Sequence, residues 1–320
     1  MPETAAAHRS GFVSLAGRPN SGKSTLLNAL VGEKLAIVSE KPQTTRTTIQ
    51  GVLTTPDAQV VFLDTPGIHK SDTLLNRRMM DAVRGALEER DIVLFVVDAA
   101  APFTGEDARA VDAVHKITAP IFLVLNKIDR ITDKRLLLPR IEQYKAVREF
   151  ADYIPVSALT AENLGELKRA IVAALPAGPE YFPRDYVTDQ PARFLAAELI
   201  REQILAATRQ EVPHAVAVVI DEWEEKKRLI RISATILVER AGQKAILIGS
   251  KGAMLKSTGT KAREEIERVL GSRVFLQLYV KVSPGWRENP QFVAAVDWHG
   301  TIGTGSDSGD VAANDVAFER

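Results

Sequence analysis

The chain has 320 residues, no cysteine, and equal numbers of Lys+Arg and Asp+Glu, 41 of each. This length suggests about two domains, the absence of cysteine excludes disulfides and thiolate metal sites, and the charge balance points to no class of partner. Residues 1–10 lack the pattern of a signal peptide and no apolar run approaches the roughly 18 residues of a membrane span, so we expect a cytoplasmic protein with a short N-terminal extension.

The first predicted strand, Phe12–Ala16, is followed by a glycine-rich loop and a helix-like stretch, Thr25–Leu30. Strand, loop and helix in this order are the context of a P-loop, whose backbone N–H groups and helix dipole hold a polyphosphate. Lys23 is expected to reach the β- and γ-phosphates and Ser24 to bind Mg²⁺. The alternative is a tight strand-to-helix turn. The predicted phosphate-binding residues are Gly17, Asn20, Ser21, Gly22, Lys23, Ser24, Thr25 and, further along the chain, Gly67.

Residues 38–47, before the second strand, are polar and show no periodicity. They can be interpreted as a solvated loop, or as a switch that becomes ordered when a threonine hydroxyl joins the Mg²⁺ shell in the triphosphate state. For that hydroxyl we prefer Thr45, directly before Arg46, over Thr44. The predicted residues of this first switch are Gln43, Thr44, Thr45 and Arg46.

The second and third strands, Thr48–Thr55 and Gln59–Asp64, lead to the sequence Asp64-Thr65-Pro66-Gly67. Asp64 can hold Mg²⁺, and a glycine at position 67 allows a backbone N–H to approach the γ-phosphate. By itself this tetrapeptide is typical of a turn, but after a P-loop it predicts the second half of a nucleotide site. A second switch would include Thr65, Pro66 and Ile68 and continue to Thr73.

Three more strands are predicted at Ile92–Asp98, Ile121–Asn126 and Tyr153–Val156. The first two are continuously apolar, as central parallel strands are. Amphipathic stretches alternate with all these strands, so residues 11–175 are predicted to form an α/β domain with a mostly parallel six-stranded sheet and helices on both faces. Ligands of such sheets bind beyond the carboxyl ends of the strands.

Two short motifs follow the last two of these strands. Asp129 can accept hydrogen bonds from guanine N1–H and N2–H₂, a donor pair that adenine does not present. Asn126 would tie its loop to the P-loop or accept from the base, and the Lys127 stem can lie along the ring. Ser157 and Ala158 complete the predicted guanine site, with the Ala158 N–H directed at guanine O6.

Residues 176–190 contain several prolines and a glycine, cannot continue a helix, and are predicted to be a linker, docked through Tyr181 and Phe182. Residues 191–295 then show the order α-β-β-α-α-β of a type II KH domain. Its elements are predicted at Pro191–Thr208, Ala215–Ile220, Leu229–Val238, from Gln243, Ala253–Leu270 and Val274–Val282.

The loop between its last two helices contains two glycines three residues apart. KH domains clamp about four nucleotides against such a loop, although an isolated loop of this kind is equally a helix-to-helix turn. From Arg240 to Arg287 there are ten Lys/Arg and three Asp/Glu, which indicates a phosphate-binding face. The predicted RNA-binding residues are Ile248, Gly249, Ser250, Lys251, Gly252 and Lys256.

Taken together, the motifs resemble those of translation-factor-related GTPases, and the chain looks most like the Era GTPases, bacterial enzymes with a C-terminal KH domain. Residues 42–46 match the Era first switch and residues 189–198 its interdomain signature; the resemblance spans roughly residues 10–293. It implies a GTPase that uses GTP, GDP and Mg²⁺. It also implies that the protein binds the 3′ end of small-subunit ribosomal RNA and assists maturation of the 30S subunit. We expect a monomer that associates peripherally with the inner membrane.

Three features bear on this expectation. Ras-like GTPases place a water-orienting Gln directly after the Asp-x-x-Gly motif, whereas this chain has Ile68 there; in related GTPases an Asn at the position of Asn20 helps hold K⁺ beside the phosphates. Residues 296–320 depart from the family and are expected to be disordered.

Two other functions stay open: a constitutive RNA-binding protein with a structural G domain, and a membrane-associated cell-cycle GTPase. A purely structural G domain would not need Lys23, Asp64 and Asp129 at the positions of the GTPase motifs. For a membrane-associated GTPase, the sequence shows no lipidation motif and no amphipathic anchor.

Overall fold

The computed structural model describes residues 7–41, 43–68, 72–88, 90–208, 212 and 216–297. The strands are β1 (Arg9–Ala16), β2 (Ile49–Thr54), β3 (Ala58–Asp64), β4 (Ile92–Asp98), β5 (Ile121–Asn126), β6 (Asp152–Pro155), β7 (Ala217–Lys226), β8 (Leu229–Val238) and β9 (Arg273–Val282). The α-helices are α1 (Lys23–Val31), α2 (Leu74–Leu87), α3 (Gly105–Asp112), α4 (Leu137–Lys145), α5 (Leu164–Ala174), α6 (Ala192–Ala207), α7 (Ala241–Ile248), α8 (Ala253–Leu270) and α9 (Pro290–Ala295).

The first six strands form one sheet in the order β2-β3-β1-β4-β5-β6. Every pairing is parallel except that of β2 with β3. The two continuously apolar strands, β4 and β5, lie side by side and are buried along almost their whole length, as expected for strands covered on both faces. The predicted mostly parallel six-stranded sheet is confirmed.

Helices cover both faces of this sheet. Leu15, Leu94 and Val96 point to one side and pack with apolar residues of α1 and α5, whereas Val93 and Phe95 point to the other side and pack with residues of α3 and α4. This alternation follows from the twofold side-chain period of a strand. The layers bring the carboxyl ends of β1, β3, β4, β5 and β6 to one edge, where the motifs predicted from the sequence lie.

The C-terminal elements form a second, three-stranded sheet in the order β7-β8-β9, with β7 antiparallel and β9 parallel to β8. Together with α6, α7 and α8 they give the predicted order α-β-β-α-α-β. The prediction that β7 ends at Ile220 is wrong, because the strand continues to Lys226. The charged residues after Ile220 read as a loop in the sequence, but on an edge strand they pair through the backbone while their side chains remain in solvent.

The predicted linker is attached to the G-domain sheet. Gln59 Oε1 accepts hydrogen bonds from the backbone N–H groups of Tyr181 and Phe182, and the Tyr181 ring lies 5.2 Å from that of Phe12. Val52 N also donates to Val187 O at 2.8 Å. The segment therefore connects the two halves as an ordered strap along the sheet.

Helix α9 was not predicted, and residues 298–320, most of the segment predicted to be disordered, lie outside the described residues. Within the part of the chain that the structure describes, no helix combines the length and apolarity needed to cross a membrane.

Candidate functional site

The loop from Gly17 to Ser24 connects β1 to α1 and wraps closely around the strand edge. Gly17 has φ +142° and Gly22 φ +94°, and added Cβ atoms would lie 2.2 Å from Val96 O and 2.3 Å from Asn126 Nδ2 respectively. No other residue type fits these two positions without a clash. The Lys23 Nζ donates to Gly17 O at 3.2 Å and to Arg18 O at 2.9 Å, so its ammonium group lies inside the loop that would surround a phosphate.

Three side-chain oxygens meet beside the start of α1. Ser24 Oγ lies 2.7 Å from Thr45 Oγ1 and 2.7 Å from Asp64 Oδ2, and Thr45 Oγ1 donates to the same carboxylate oxygen at 3.2 Å. Asp64 is fully buried, and its Oδ1 has no hydrogen-bond partner among the described residues. A buried carboxylate oxygen without a donor, next to two hydroxyls, suits a hard cation such as Mg²⁺.

Burial also changes the charges of this site. Burial lowers the pKa of Lys23 to about 8, with the nearby Asp64 carboxylate acting in the opposite direction. Burial raises the pKa of Asp64, while Lys23 and the Ser24 and Thr45 hydroxyls lower it. The Asp64 carboxylate thus favours the charged form of Lys23, and the Lys23 ammonium group favours the charged form of Asp64. A bound phosphate would add negative charge beside Lys23, and a bound cation would add positive charge beside Asp64.

The segment after β3 lies against the P-loop. Ile68 N donates to Gly17 O at 3.1 Å, and a Cβ on Gly67 would lie 2.6 Å from Pro19 N. Thr65 Oγ1 donates to Leu15 O at 2.7 Å. The Ile68 side chain is partly buried against the apolar cluster around β4 and β5, and as an aliphatic group it cannot orient a water molecule by a hydrogen bond. The predicted second switch continues into residues 69–71, which lie outside the described residues.

The two predicted guanine motifs are joined by the buried Asn126. Its Nδ2 donates to Ser21 O at 3.0 Å, and its Oδ1 accepts from Lys127 N at 2.8 Å and Ala158 N at 3.0 Å. Ser157 Oγ donates to Asp129 Oδ1 at 2.6 Å. The Ala158 N–H is therefore engaged by Asn126 here and would have to exchange that hydrogen bond to reach a guanine O6.

Asp98, at the end of β4, was missed in the sequence. Its Oδ2 lies 2.7 Å from Lys127 Nζ and it pairs in register with Asn126. The ion pair fixes the lysine stem next to the base-binding loop. The available signal was its position, because polar residues at the carboxyl ends of parallel strands face the ligand edge.

These elements border one cleft of about 810 Å³. The sequence-predicted residues that line it are Asn20, Gly22, Lys23, Ser24, Thr25, Gln43, Thr44, Thr45, Gly67, Asn126, Lys127, Asp129 and Ala158. Two of the predicted residues that do not line the cleft are hydrogen-bonded to residues that do, Asp64 to Ser24 and Ser157 to Asp129. All the predicted residues outside the lining are Gly17, Ser21, Arg46, Asp64, Thr65, Pro66, Ile68 and Ser157. Leu205 and Ala206 of α6 also line the cleft, so the C-terminal half borders the nucleotide site.

The first switch is held by the C-terminal half at several points. From α6, Arg201 Nη2 donates to Thr44 O, and Glu202 Oε1 accepts from Lys34 Nζ and Val38 N, each at 2.7 Å. Arg201 is 1% exposed and also pairs with Glu198 of the same helix. Nothing in the sequence pattern indicated this contact, since α6 alone reads as a core helix.

Arg46 points away from the cleft into the C-terminal half. Its Nη1 donates to Val216 O at 2.8 Å, and its guanidinium lies 5.5 Å from the centre of the Trp286 ring. Burial, followed by the neighbouring Arg201, lowers the pKa of Arg46 to about 9. Thr45 is thus placed between two residues that contact the C-terminal half, Thr44 through its carbonyl and Arg46 through its side chain.

The loop between α7 and α8 contains three residues in the left-handed region of backbone conformation. Gly249 has φ +70°, Lys251 φ +50° and Gly252 φ +78°. A Cβ on Gly249 would lie 2.7 Å from Met254 Cβ, whereas the space around Gly252 is open. This leaves the backbone at Gly252 accessible to a ligand, and Lys251 is exposed at the loop tip.

A groove of about 380 Å³ extends from this loop between α8 and β9. It is lined by Gly252, Leu255, Lys256, Gly259, Thr260, Arg263, Leu276 and Leu278. Of the predicted RNA-binding residues, Gly252 and Lys256 are in its wall, and Ile248, Gly249, Ser250 and Lys251 form the loop at its end. The sequence missed Gly259, which brings α8 close to β9, since its added Cβ would lie 3.2 Å from Leu278 Cδ1.

Two domain families match the chain. Residues 12–127 match the family described as 50S ribosome-binding GTPase, and residues 211–287 match the KH domain family. Among curated relatives, GTPase Era of Geobacter metallireducens is 49% identical over 287 residues, covering 89% of this chain and 96% of the relative. GTPase Era of Geotalea daltonii is 47% identical over 285 residues, with the same coverage of 89% and 96%.

Two solved Era structures are similar to the whole architecture. One is a variant of the Aquifex aeolicus protein bound to GDP and AlF₄⁻, the other an Era in complex with MgGDPNP and nucleotides 1506–1542 of 16S ribosomal RNA. Each has a TM-score of 0.87 and 40% sequence identity, and covers 90% of this chain and 98% of its own.

Proposed function

This chain belongs to the Era family of GTPases, and from that premise we propose that it is a GTP-hydrolysing switch that binds the 3′ end of small-subunit ribosomal RNA and assists assembly and maturation of the 30S subunit. The observation that carries the proposal is the placement of the first switch, which contributes Thr45 to the predicted cation site and is held on its other side by α6. The similar Era in complex with MgGDPNP and a 16S fragment gives the RNA its identity.

The ligands of the first site are a guanine nucleotide and Mg²⁺. Gly22, Lys23 and the N-terminus of α1 would hold the phosphates, and Ser24, Thr45 and Asp64 would hold the cation. Mg²⁺ bound by these residues would neutralise negative charge on the nucleotide phosphates. Asp129, positioned by Ser157, would accept from the guanine edge.

Hydrolysis requires a group that replaces the missing Gln, and we assign charge stabilisation to K⁺ held with the help of Asn20. Asn20 Nδ2 donates to Glu40 O at 2.8 Å, so this side chain lies where the P-loop meets the first switch. GTP turnover should then be faster in KCl than in NaCl of equal ionic strength, and Asn20→Ala should remove the difference. Equal rates in both salts with the unaltered protein would exclude K⁺.

The second site is the groove between α8 and β9. Gly249 and Gly252 let a sugar-phosphate backbone approach the loop, Lys251 and Lys256 would contact phosphates, and Leu255, Leu276 and Leu278 provide an apolar floor for bases. The surrounding excess of basic over acidic residues should make binding salt-dependent.

A glycine substitution tests this assignment. Gly249→Asp with Gly252→Asp places two carboxylates where phosphates would lie, so affinity for an oligonucleotide from the 3′ end of small-subunit ribosomal RNA should fall by at least about a hundredfold. GTP affinity should stay within about twofold, because the nucleotide cleft is formed by other elements. Both affinities can be measured by fluorescence anisotropy.

The matched control is Gly242→Asp with Ser257→Asp, which adds the same charge on α7 and α8, the two helices that flank the loop, outside the groove lining. It should retain most of the RNA affinity. If the loop variant keeps its RNA affinity, the RNA-binding site is not at this loop. If the control variant loses as much RNA affinity as the loop variant, the loss is explained by the added net charge alone.

We further propose a cytoplasmic monomer whose association with the inner membrane is weak, peripheral and electrostatic. Light scattering tests the monomer, and sedimentation with vesicles that contain anionic lipid tests the association, which should disappear at high salt. The alternative, a constitutive RNA-binding protein, would bind RNA equally well whichever nucleotide is present.

A further inference from the structure

The sheet β7-β8-β9 has an inner face packed on α6 and α8 and an outer face that is only partly covered. At one end of the outer face, Ala217 and Leu237 are buried against Trp286 and Val293. The outward residues of β9 are exposed along the whole strand, including Lys281 in register with the buried Leu237, and Arg231 of β8 is exposed toward the other end. We call this area the open sheet face and define it by Arg231, Arg273, Phe275, Gln277, Tyr279 and Lys281.

Two aromatic rings stand on this face. Phe275 is 48% exposed and Tyr279 55% exposed, and they are four residues apart on one strand, about 13 Å along it. The Arg231 guanidinium lies 5.8 Å from the centre of the Phe275 ring. A single exposed apolar residue needs no explanation, but two large rings on one face of one strand, with a guanidinium stacked on one of them, resemble a stacking surface.

The charges of the outer face divide between its two edges. The outward residues of β9 include Arg273 and Lys281 and no acidic residue. The outward residues of β7 are Glu222, Glu224 and Lys226, with Glu224 in register with Arg231 and 3.1 Å from Lys226 Nζ, so the acidic side chains lie on the β7 side of the face. The basic edge is next to the groove, because Leu276 and Leu278 of the same strand line the groove from the inward side. Strand β9 is therefore the wall between the groove and the open sheet face.

We propose that the open sheet face is a second binding surface for single-stranded RNA, which continues the path of a strand leaving the groove. Phe275 and Tyr279 stack on bases, and Arg273 and Lys281 contact phosphates. The inference rests on the proposed function, since the groove must first hold RNA. The chemistry favours nucleic acid over a protein ligand, because the two rings are separated by Gln277 and flanked by cations instead of forming one continuous apolar patch.

The test compares two RNA lengths from the 3′ end of small-subunit ribosomal RNA: about four nucleotides, the length that a KH groove clamps, and about twelve, which can reach the open sheet face. In Phe275→Ala with Tyr279→Ala the affinity for the long RNA should fall about tenfold or more, while that for the short RNA stays within about twofold. Leu136→Ala with Leu138→Ala, which shortens two exposed apolar side chains of the G domain outside both pockets, is the matched control and should retain both affinities.

Two further measurements locate the RNA on the protein. Arg273→Gln with Lys281→Gln should reduce the dependence of long-RNA affinity on salt, by about 0.7 in the log–log slope for each phosphate that the variant no longer neutralises. Ultraviolet cross-linking of the long RNA to the unaltered protein, followed by mass spectrometry, should give adducts on the peptide that contains Phe275 and Tyr279.

Several results would overturn the inference. They are equal long-RNA affinity in the unaltered and double-alanine proteins, or a decrease in affinity that is the same for both RNA lengths. A change of oligomeric state in the double-alanine protein without a change in RNA affinity would make this face an interface between copies. If the unaltered protein binds neither RNA, the proposed function fails before this inference is reached.

Discussion

Asp129 is the single side chain that we expect to set ligand choice. Its carboxylate is oriented by Ser157 Oγ and lines the nucleotide cleft. In Asp129→Asn an amide donor faces the guanine donors, and each unpaired buried group costs about 1–3 kcal/mol, so GTP affinity should fall at least about tenfold. Xanthosine triphosphate carries an acceptor where guanine has its amine and should bind better than GTP. Competition against a fluorescent nucleotide measures both, with Asp133→Asn as a control, and an unchanged preference for GTP would refute the assignment.

Thr45 and Thr44 can be separated by their hydroxyls. Thr45 Oγ1 lies beside Ser24 and Asp64, whereas Thr44 Oγ1 donates to Lys41 O at 2.7 Å. Thr45→Val should therefore weaken Mg²⁺-dependent retention of a non-hydrolysable GTP analogue by about tenfold, roughly one charge-assisted interaction, and Thr44→Val should not. Nucleotide dissociation rates with Mg²⁺ and with EDTA measure the effect. The reverse pattern would assign the cation to Thr44.

At the scale of residues, the sequence predicted those that bind through fixed local motifs. Lys23 and Ser24 begin α1 after the glycine-rich loop and Asn126 ends β5, in patterns whose spacing is typical of a nucleotide site, so they could be found without a structure. For Asp98 the only signal was its position at the end of β4, because its pairing with Lys127 depends on register with another strand. Gly259 gave no signal, because its role depends on the approach of a helix to a strand. Such pairings between distant segments leave no local pattern.

The first switch shows how one element connects two sites. Its Thr44 and Arg46 contact α6, Val216 and Trp286, while Thr45 between them faces the cation site. A loop held by packed contacts on both sides switches between a small number of conformations and does not deform continuously. A change of nucleotide that moves Thr45 must therefore change how its neighbours bind to the C-terminal half.

Substitutions in α6 separate coupling from stability. Arg201→Met leaves the Glu198 carboxylate, 13% exposed, without its partner, which costs up to about 3 kcal/mol. It also removes the donor to Thr44 O. Arg201→Met with Glu198→Leu should recover most of the stability, measured by urea denaturation, but not the effect of nucleotide on RNA affinity. Arg193→Gln, exposed on the same helix, is the control. A double variant that keeps the full nucleotide effect would show that the Arg201 hydrogen bond does not carry the coupling.

At the scale of elements, the hydrophobic pattern predicted the core strands correctly. It failed for elements whose extent or packing depends on solvent exposure or on contacts with distant segments. β4 and β5 are unmistakable runs of buried residues. The outer half of β7 carries charges because its side chains stay in solvent, and α9 is too short and too weakly patterned to be recognised. The packing of α6 on the first switch depends on how the two domains contact each other. The hydrophobic pattern of one segment carries no information about such a contact.

The whole molecule combines a nucleotide cleft that includes Leu205 and Ala206 of the C-terminal half with an RNA groove on the same half. An apolar cluster also joins Leu75 and Met79 of α2 to Trp286 and Val293. The domain division at residues 176–190 stays a prediction, although the docked strap between the halves supports a defined relative orientation. We therefore predict that a change at the γ-phosphate reaches the C-terminal half through the first switch and α6.

The most direct test measures binding of an oligonucleotide from the 3′ end of small-subunit ribosomal RNA, first with GDP and then with a non-hydrolysable GTP analogue, at one fixed salt concentration, since affinity depends strongly on salt. We predict tighter binding in the triphosphate state by at least about fivefold, the lower end of usual coupling between sites. Equal affinity in both states would contradict the switch and leave an RNA-binding GTPase whose nucleotide controls another partner.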